Sequence, residues 1–308
     1  MRCCISACMK TILSYLRDYF RSVNMLTLAL SVLFTAAIIF VNYRFGLERT
    51  LRRSSFFIQF AAWYGIFLLA LSFSYIIAAK RNKAFFKQPL FLLLLLLAPA
   101  LFSLKLTMPI NLPLSNTLAD NRYWNTVLYY PAKLLLIAIC LFIIWRNTGK
   151  DGSRYGTKLQ GFSLKPYLIM LLLMLPLIAL ASTQHDFLTI YPKLLHVRSV
   201  ASTGWWQKLL YELSYGCDFI NIELFFRGFL ILAFAPIVGK DCILPMAVFY
   251  CTIHFGKSLG ECISSFFGGI ILGVVSYNTR NIYGGLIVHL GIAWLMELGG
   301  YLGTATFY

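Results

Sequence analysis

Hydrophobic and polar positions alternate along this chain in long blocks rather than residue by residue. Nine apolar stretches, most of them close to the about 20 residues that carry a helix across a bilayer, are separated by polar segments. The pattern predicts an all-α protein, a polytopic transmembrane bundle of about nine spans with eight to ten as the range. The stretches cover residues 24–43, 56–79, 88–104, 124–145, 166–181, 208–235, 242–256, 259–277 and 283–300.

The segment before the first stretch has a different period. Its apolar residues recur at helical spacing, whereas Lys10, Arg17 and Arg21 lie elsewhere on the helix. This distribution predicts an amphipathic helix that lies on the membrane surface. The apolar positions are Ile5, Met9, Ile12, Leu13, Leu16 and Phe20.

Composition supports the membrane interpretation and changes the meaning of the charge. Of 308 residues, 59% are hydrophobic and 12% are charged, against about 25% charged in soluble domains. The net charge of +16 comes from Lys and Arg residues concentrated at the ends of apolar stretches, where they act as topology signals and contact lipid head groups. We therefore expect membrane lipid as a partner and no nucleic acid.

Acidic residues concentrate in the last third of the chain. Six of the 11 lie beyond residue 200, although a charge at the centre of a spanning helix costs about 2.5–3.5 kcal/mol. Such a cost indicates groups that face inward and pair or line a cavity, so function is predicted there. These residues are Glu212, Asp218, Glu223, Asp241, Glu261 and Glu297.

Three of the late stretches carry polar residues at helical spacing. Glu223 and Arg227 are four residues apart and can pair on one helix face. Tyr250 and His254 repeat this separation on the next stretch, and His289 lies on the last one. Three helices can thus bring a carboxylate and two imidazoles to one intramembrane point, where such groups can deprotonate water and stabilise an oxyanion.

Residues 206–300 resemble the CAAX-protease and bacteriocin-processing (CPBP or Abi) family of glutamate-dependent intramembrane endopeptidases. The family signature is Glu-Glu-x-x-x-Arg, then Phe/Tyr-x-x-x-His, then His-x-x-x-Asn or a similar polar residue in the last position. The resemblance implies an intramembrane protease core, 206–308, which follows the interfacial segment, 1–23, and transmembrane helices without an assigned role, 24–205. The matching segments are Ile222-Glu223-x-x-x-Arg227, Tyr250-x-x-x-His254 and His289-x-x-x-Ala293.

Two positions depart from the family signature. Ile222 replaces the first Glu, which the family uses to activate water, and Ala293 replaces the last polar residue. The hypothesis is a divergent branch in which Glu223 is the base, while His254 and His289 position water and stabilise the oxyanion.

The remaining polar residues are assigned supporting roles. We expect Arg227, Tyr250 and Glu261 to support the site, with Lys257 beside Glu261 supplying polar contacts that the departures remove. Structural alternatives stay open at this point: a Glu223–Arg227 pair that only locks helix packing, a satisfied buried histidine, and a Glu261 placed at a helix start for dipole reasons.

Three functions remain in competition. The first is an endopeptidase that hydrolyses a peptide bond of a membrane-associated protein or peptide. The second is an inactive scaffold of the same fold, such as an immunity or maturation partner, which the Ile222 departure keeps open. The third is a transporter that uses the same buried charges.

No cofactor is expected, because the chain lacks the helical His-Glu-x-x-His zinc motif. A divalent metal such as zinc stays an open alternative, since two histidines and a carboxylate can hold one. The resemblance implies a prokaryotic cytoplasmic (inner) membrane and leaves the substrate unspecified.

Overall fold

The computed structural model describes residues 2–80, 83–148, 154–159, 162–197 and 203–307, with side chains from Lys10 to Thr304. Within these ranges the chain is helical and contains no β-strand, which confirms the all-α prediction. Short 3₁₀ turns occur at Ala84–Lys87, Arg154–Gly156, Lys193–His196 and Gly239–Cys242. The longer elements are α1 (Arg2–Ser22), α2 (Met25–Phe45), α3 (Leu47–Arg52), α4 (Phe56–Ala78), α5 (Pro89–Thr107), α6 (Leu118–Thr148), α7 (Lys165–Ala181), α8 (His185–Leu188), α9 (Trp205–Glu223), a π-helix (Leu224–Ala233), α10 (Ala235–Val238), α11 (Ile243–Thr252), α12 (Leu259–Thr279) and α13 (Tyr283–Phe307).

Among the described residues, seven helical segments are long and apolar enough to cross a membrane. The 48-residue run Trp205–Thr252 includes most of two predicted stretches, 208–235 and 242–256, and the stretch at 166–181 forms the shorter helix Lys165–Ala181. Each predicted apolar stretch therefore lies wholly or largely on helices, and the stretch 242–256 continues into the turn after Thr252. The chain is an integral membrane protein with a polytopic helical bundle, as the sequence predicts.

The N-terminal helix α1 has two different faces. Ile12 and Tyr19 are buried, and α1 packs against α12. Leu13 and Phe20, one position further along, are exposed. The helix thus has one apolar face toward the protein and one away from it, while its place at the membrane surface stays a prediction. The side chains of Ile5 and Met9 lie outside the described part.

The chain divides into two compact units, each assembled from separated segments. The first comprises Met1–Met108, Cys140–Phe162 and Leu224–Tyr283, and the second comprises Pro109–Ile139, Ser163–Glu223 and Gly284–Tyr308. The functional boundaries expected at residues 23 and 205 stay predictions.

The first unit has a core of interlocking phenyl rings. Their centroids lie 4.7–6.0 Å apart, mostly in edge or tilted arrangements, the geometry that aromatic pairs prefer. This packing joins α4, α5, the π-helix and α11, and it positions the segment that carries the second family motif. The rings are those of Phe67, Phe102, Phe225, Phe226 and Phe249.

The second unit has a core rich in tyrosine. Tyr123, Tyr211, Tyr215 and Phe219 are buried together with Ala293. The hydroxyl of Tyr123 donates to the carbonyl oxygen of Gln207 at 2.8 Å, so the ring packs while its polar end stays satisfied. Helix α9 is held here by apolar and polar contacts as it approaches Glu223.

Candidate active site

A change of helix type marks the first family motif. Helix α9 ends at Glu223, and the chain continues directly as the π-helix Leu224–Ala233, which contains Arg227. π-Helical turns are rare and are frequent at functional sites. The change of helix type falls at Glu223, the carboxylate that the sequence singles out. Glu223 is also the last residue of this segment in the second unit, whereas Arg227 belongs to the first unit.

The structure brings Glu223 and His289 together inside the second unit. The Nδ1 atom of His289 lies 3.1 Å from Oε1 of Glu223. The Glu223 side chain is 0% exposed and that of His289 is 13% exposed. The ring of Phe219 lies edge-on to the imidazole, with centroids 4.8 Å apart. A carboxylate and an imidazole in this contact form a pair that can bind and move a proton.

Gly285 makes room for this pair. It lies one helical turn before His289, and a Cβ atom at position 285 would be 2.2 Å from Oε2 of Glu223. The ring of Tyr167, on α7, packs against the adjacent Gly284. A Cβ atom at position 284 would lie 2.1 Å from Cζ of Tyr167. Sequence reasoning missed both glycines, although the Gly-Gly pair just before His289 is a visible signal.

Arg227 and Tyr250 form a buried contact in the first unit. The guanidinium carbon lies 4.3 Å from the centroid of the Tyr250 ring, and Arg227 is 0% exposed. A cation over an aromatic face at this distance is stabilised by the ring quadrupole. The supporting role that the sequence assigns to both residues stays a prediction.

His254 lies just beyond the end of α11, also in the first unit. Its Nδ1 is 3.0 Å from the backbone oxygen of Tyr250. A carbonyl oxygen only accepts, so Nδ1 carries the proton, and Nε2 of the neutral ring is an acceptor. A neutral His254 can thus accept a hydrogen bond from water, and its imidazolium form can donate to an oxyanion.

The turn that carries His254 is held by α2, a helix to which the sequence assigns no role. Asn42 donates from Nδ2 to the carbonyl oxygen of Phe255 at 3.0 Å. The hydroxyl of Tyr43 donates to the carbonyl oxygen of Lys257 at 2.8 Å. Sequence reasoning missed both residues, and the only signal available was a polar Asn-Tyr pair inside an apolar stretch.

Glu261 lies in the first turn of α12, at 3.0 Å from Nζ of Lys257. Its backbone N–H donates to Oγ of Ser258, the N-terminal cap of this helix, at 3.3 Å. A carboxylate in the first turn also interacts favourably with the helix dipole. These contacts are compatible with a supporting role for Glu261 and with the structural alternative, a carboxylate placed at a helix start. The sequence left both open.

The two departures from the family signature are both buried and apolar. Ile222 is 8% exposed and Ala293 is 4% exposed, and Ala293 belongs to the core of the second unit. Among the described residues, no three His, Cys, Asp or Glu side chains are grouped as metal ligands. Independence from metal stays a prediction.

The fold and these contacts define a polytopic helical membrane protein with ionisable groups buried in its C-terminal helices. Residues 205–295 match the family model of the type II CAAX prenyl endopeptidase Rce1-like proteins. This match confirms the resemblance seen in the sequence, and it covers less than a third of the chain. It includes Glu223, Arg227, His254 and His289. No curated protein and no solved structure matches the chain.

Proposed function

We propose that this protein is an intramembrane endopeptidase that hydrolyses a peptide bond of a membrane-associated protein or peptide. The match over residues 205–295 supports a protease of CAAX type. The observation that carries the proposal is the 3.1 Å contact between His289 Nδ1 and Glu223 Oε1, in which the carboxylate is completely buried.

The energetic cost of that contact supports a chemical role. An ionisable group inside a membrane span is expensive and marks a functional site by default. Glu223 lies where α9 changes to a π-helix, in the segment that matches an endopeptidase family. Helix packing alone needs neither the carboxylate nor the imidazole, because apolar residues of similar volume pack at least as well.

In the proposed reaction, Glu223 and His289 activate a water molecule that attacks the scissile carbonyl carbon. The C–O bond forms, the carbonyl oxygen becomes an oxyanion, and the water proton moves to the pair. The same proton then passes to the leaving amine as the C–N bond breaks. His254 assists by binding water or the oxyanion, a role that rests on the resemblance. Arg227 and Tyr250 support the motif.

The test is cleavage of a quenched peptide library, with prenylated and unprenylated members, by purified protein in lipid nanodiscs. We expect cleavage by the wild type and its loss in Glu223→Gln. Glu212→Gln is the matched control, because Glu212 is a second carboxylate on α9 and outside the pair. Unchanged cleavage by Glu223→Gln would refute the proposal.

Two further comparisons in the same assay test the need for a metal and the class of substrate. Activity in the presence of a chelator would make a divalent metal unnecessary, whereas loss that zinc restores would establish one. Preference for prenylated members would define a CAAX-type substrate. We place the protein in a prokaryotic cytoplasmic membrane, which fractionation of the source cells can test.

One observation favours a second candidate, an inactive scaffold of the same fold. Ile222 is buried and apolar at the position where the family has its water-activating glutamate. The scaffold predicts no cleavage of any library member. It also predicts that alanine at Glu223 or His289 leaves the cellular phenotype intact, provided that the variants accumulate normally.

A further inference from the structure

The two members of the Glu223–His289 pair differ in exposure. The Glu223 side chain has no exposed area, whereas 13% of the His289 side chain is exposed. Oε1 of Glu223 faces Nδ1 of His289, and Oε2 lies so close to α13 that a Cβ atom at position 285 would be 2.2 Å from it. The imidazole is therefore the member of the pair with exposed surface, and the carboxylate has none.

The hydrogen bond between them fixes which nitrogen is basic. When Glu223 is ionised its carboxylate only accepts, so Nδ1 of His289 then donates and carries the proton. The neutral ring then has its lone pair on Nε2. A carboxylate that holds an imidazole in one tautomer and stabilises the imidazolium is a recurrent arrangement in hydrolases.

We infer that Nε2 of His289 takes the proton from the attacking water and that Glu223 is a positioning residue acting through His289. The inference rests on the proposed function and deepens it by assigning the two roles. It also explains how the chain can dispense with a glutamate at position 222, because the base is supplied by α13.

The reaction is balanced with these residues alone. As the water oxygen bonds to the carbonyl carbon, one water proton moves to Nε2, and the carbonyl π electrons move to oxygen. The imidazolium keeps its Nδ1–H bond to the Glu223 carboxylate. When the carbonyl re-forms, the C–N bond breaks, Nε2–H protonates the leaving nitrogen, and His289 returns to its neutral form.

The first test needs no activity. Histidine-specific ¹⁵N labelling gives the tautomer of each ring, and the chain has only 4 histidines, so the spectrum of His289→Gln assigns the signal. We expect protonated Nδ1 and unprotonated Nε2 at His289 in the wild type, with redistribution in Glu223→Ala. His289 protonated on Nε2 alone in the wild type would overturn the inference.

The second test is chemical rescue of cleavage in His289→Gly. We expect a loss of roughly 10²–10⁴-fold, a partial recovery with imidazole, and a weaker recovery with the less basic 4-fluoroimidazole, because the added ring must accept a proton. Equal recovery with both compounds would indicate a space-filling role and overturn the inference. Recovery of cleavage with imidazole in His254→Gly but not in His289→Gly would also overturn the inference.

The proposed function and the inference about His289 are contradicted by different results. If the wild type cleaves nothing, the proposed function fails, whatever the tautomer of His289. If the wild type cleaves and the wild-type spectrum shows His289 with Nε2 protonated alone, the endopeptidase stands and Glu223 regains the role of base. His196→Ala controls for the labelling and rescue conditions, because His196 lies outside the pair.

Discussion

Gly285 and Glu223 occupy complementary space: a Cβ atom on residue 285 would lie 2.2 Å from the Oε2 atom of the carboxylate. The clash involves the far end of a flexible side chain, so the carboxylate can move away while the helices stay in place. Its alignment with His289 depends on that position.

We expect Gly285→Ala to impair catalysis more than stability. Displacing the carboxylate by about 1 Å from its partner can lower the rate about 10²-fold, and the reduction should appear in kcat. Gly268→Ala is the control, since a Cβ there meets nothing within 4 Å. Peptide cleavage and thermal unfolding, measured on both variants, check the prediction. A Gly285→Ala protein with wild-type kcat would contradict it.

At Gly228 an added side chain would meet the backbone instead of a flexible side chain. A Cβ at this position would be 2.8 Å from the backbone oxygen of Tyr155, which cannot move without its chain. Overpacking of this kind typically destabilises by about 1–3 kcal/mol. We therefore expect Gly228→Ala to lower the unfolding temperature, measured in one detergent against wild type and Gly268→Ala. An unchanged unfolding temperature in Gly228→Ala would contradict this prediction and would show that the π-helix can shift to accommodate the added methyl group.

The contact between Arg227 and Tyr250 should depend on the ring and not on the hydroxyl. We expect Tyr250→Leu to lose about 1–2 kcal/mol of cation–π stabilisation relative to Tyr250→Phe, which keeps an aromatic ring over Arg227. A double-mutant cycle with Arg227→Met isolates the coupling. A coupling near zero would mean that Arg227 is held by other contacts.

The sequence predicts the helical membrane bundle well because its signal is local. Each apolar stretch such as 56–79 carries its own evidence of length and hydropathy, and the corresponding helix Phe56–Ala78 follows. The motif residues Glu223 and His289 could also be singled out, since buried charges are rare and their spacing matches a known family.

The supporting geometry was beyond sequence reasoning because it depends on contacts between distant segments. Gly285 matters only once Glu223 lies against α13. The π-helix after Glu223 has no sequence signal that separates it from an apolar α-helix. The tautomer of His254 follows from a single 3.0 Å contact with the Tyr250 carbonyl oxygen, which only coordinates can supply.

The last prediction concerns α2, which holds the turn that carries His254. Asn42 is 3% exposed and makes two hydrogen bonds at 3.0 Å, donating to the Phe255 carbonyl oxygen and accepting from the Glu48 backbone N–H. Replacing it by leucine leaves both backbone groups unsatisfied, at about 1–3 kcal/mol for each buried group.

We expect Asn42→Leu to lower both the unfolding temperature and the cleavage rate, since the turn that orients His254 loses an anchor. Tyr43→Phe removes a hydroxyl that is shared between the carbonyl oxygens of Lys257 and Ser258, and it should have a smaller effect in the same direction. Thr50→Val, at an exposed hydroxyl of α3, controls for polar loss elsewhere. If Asn42→Leu lost stability but kept its full cleavage rate, α2 would be a structural support with no influence on His254.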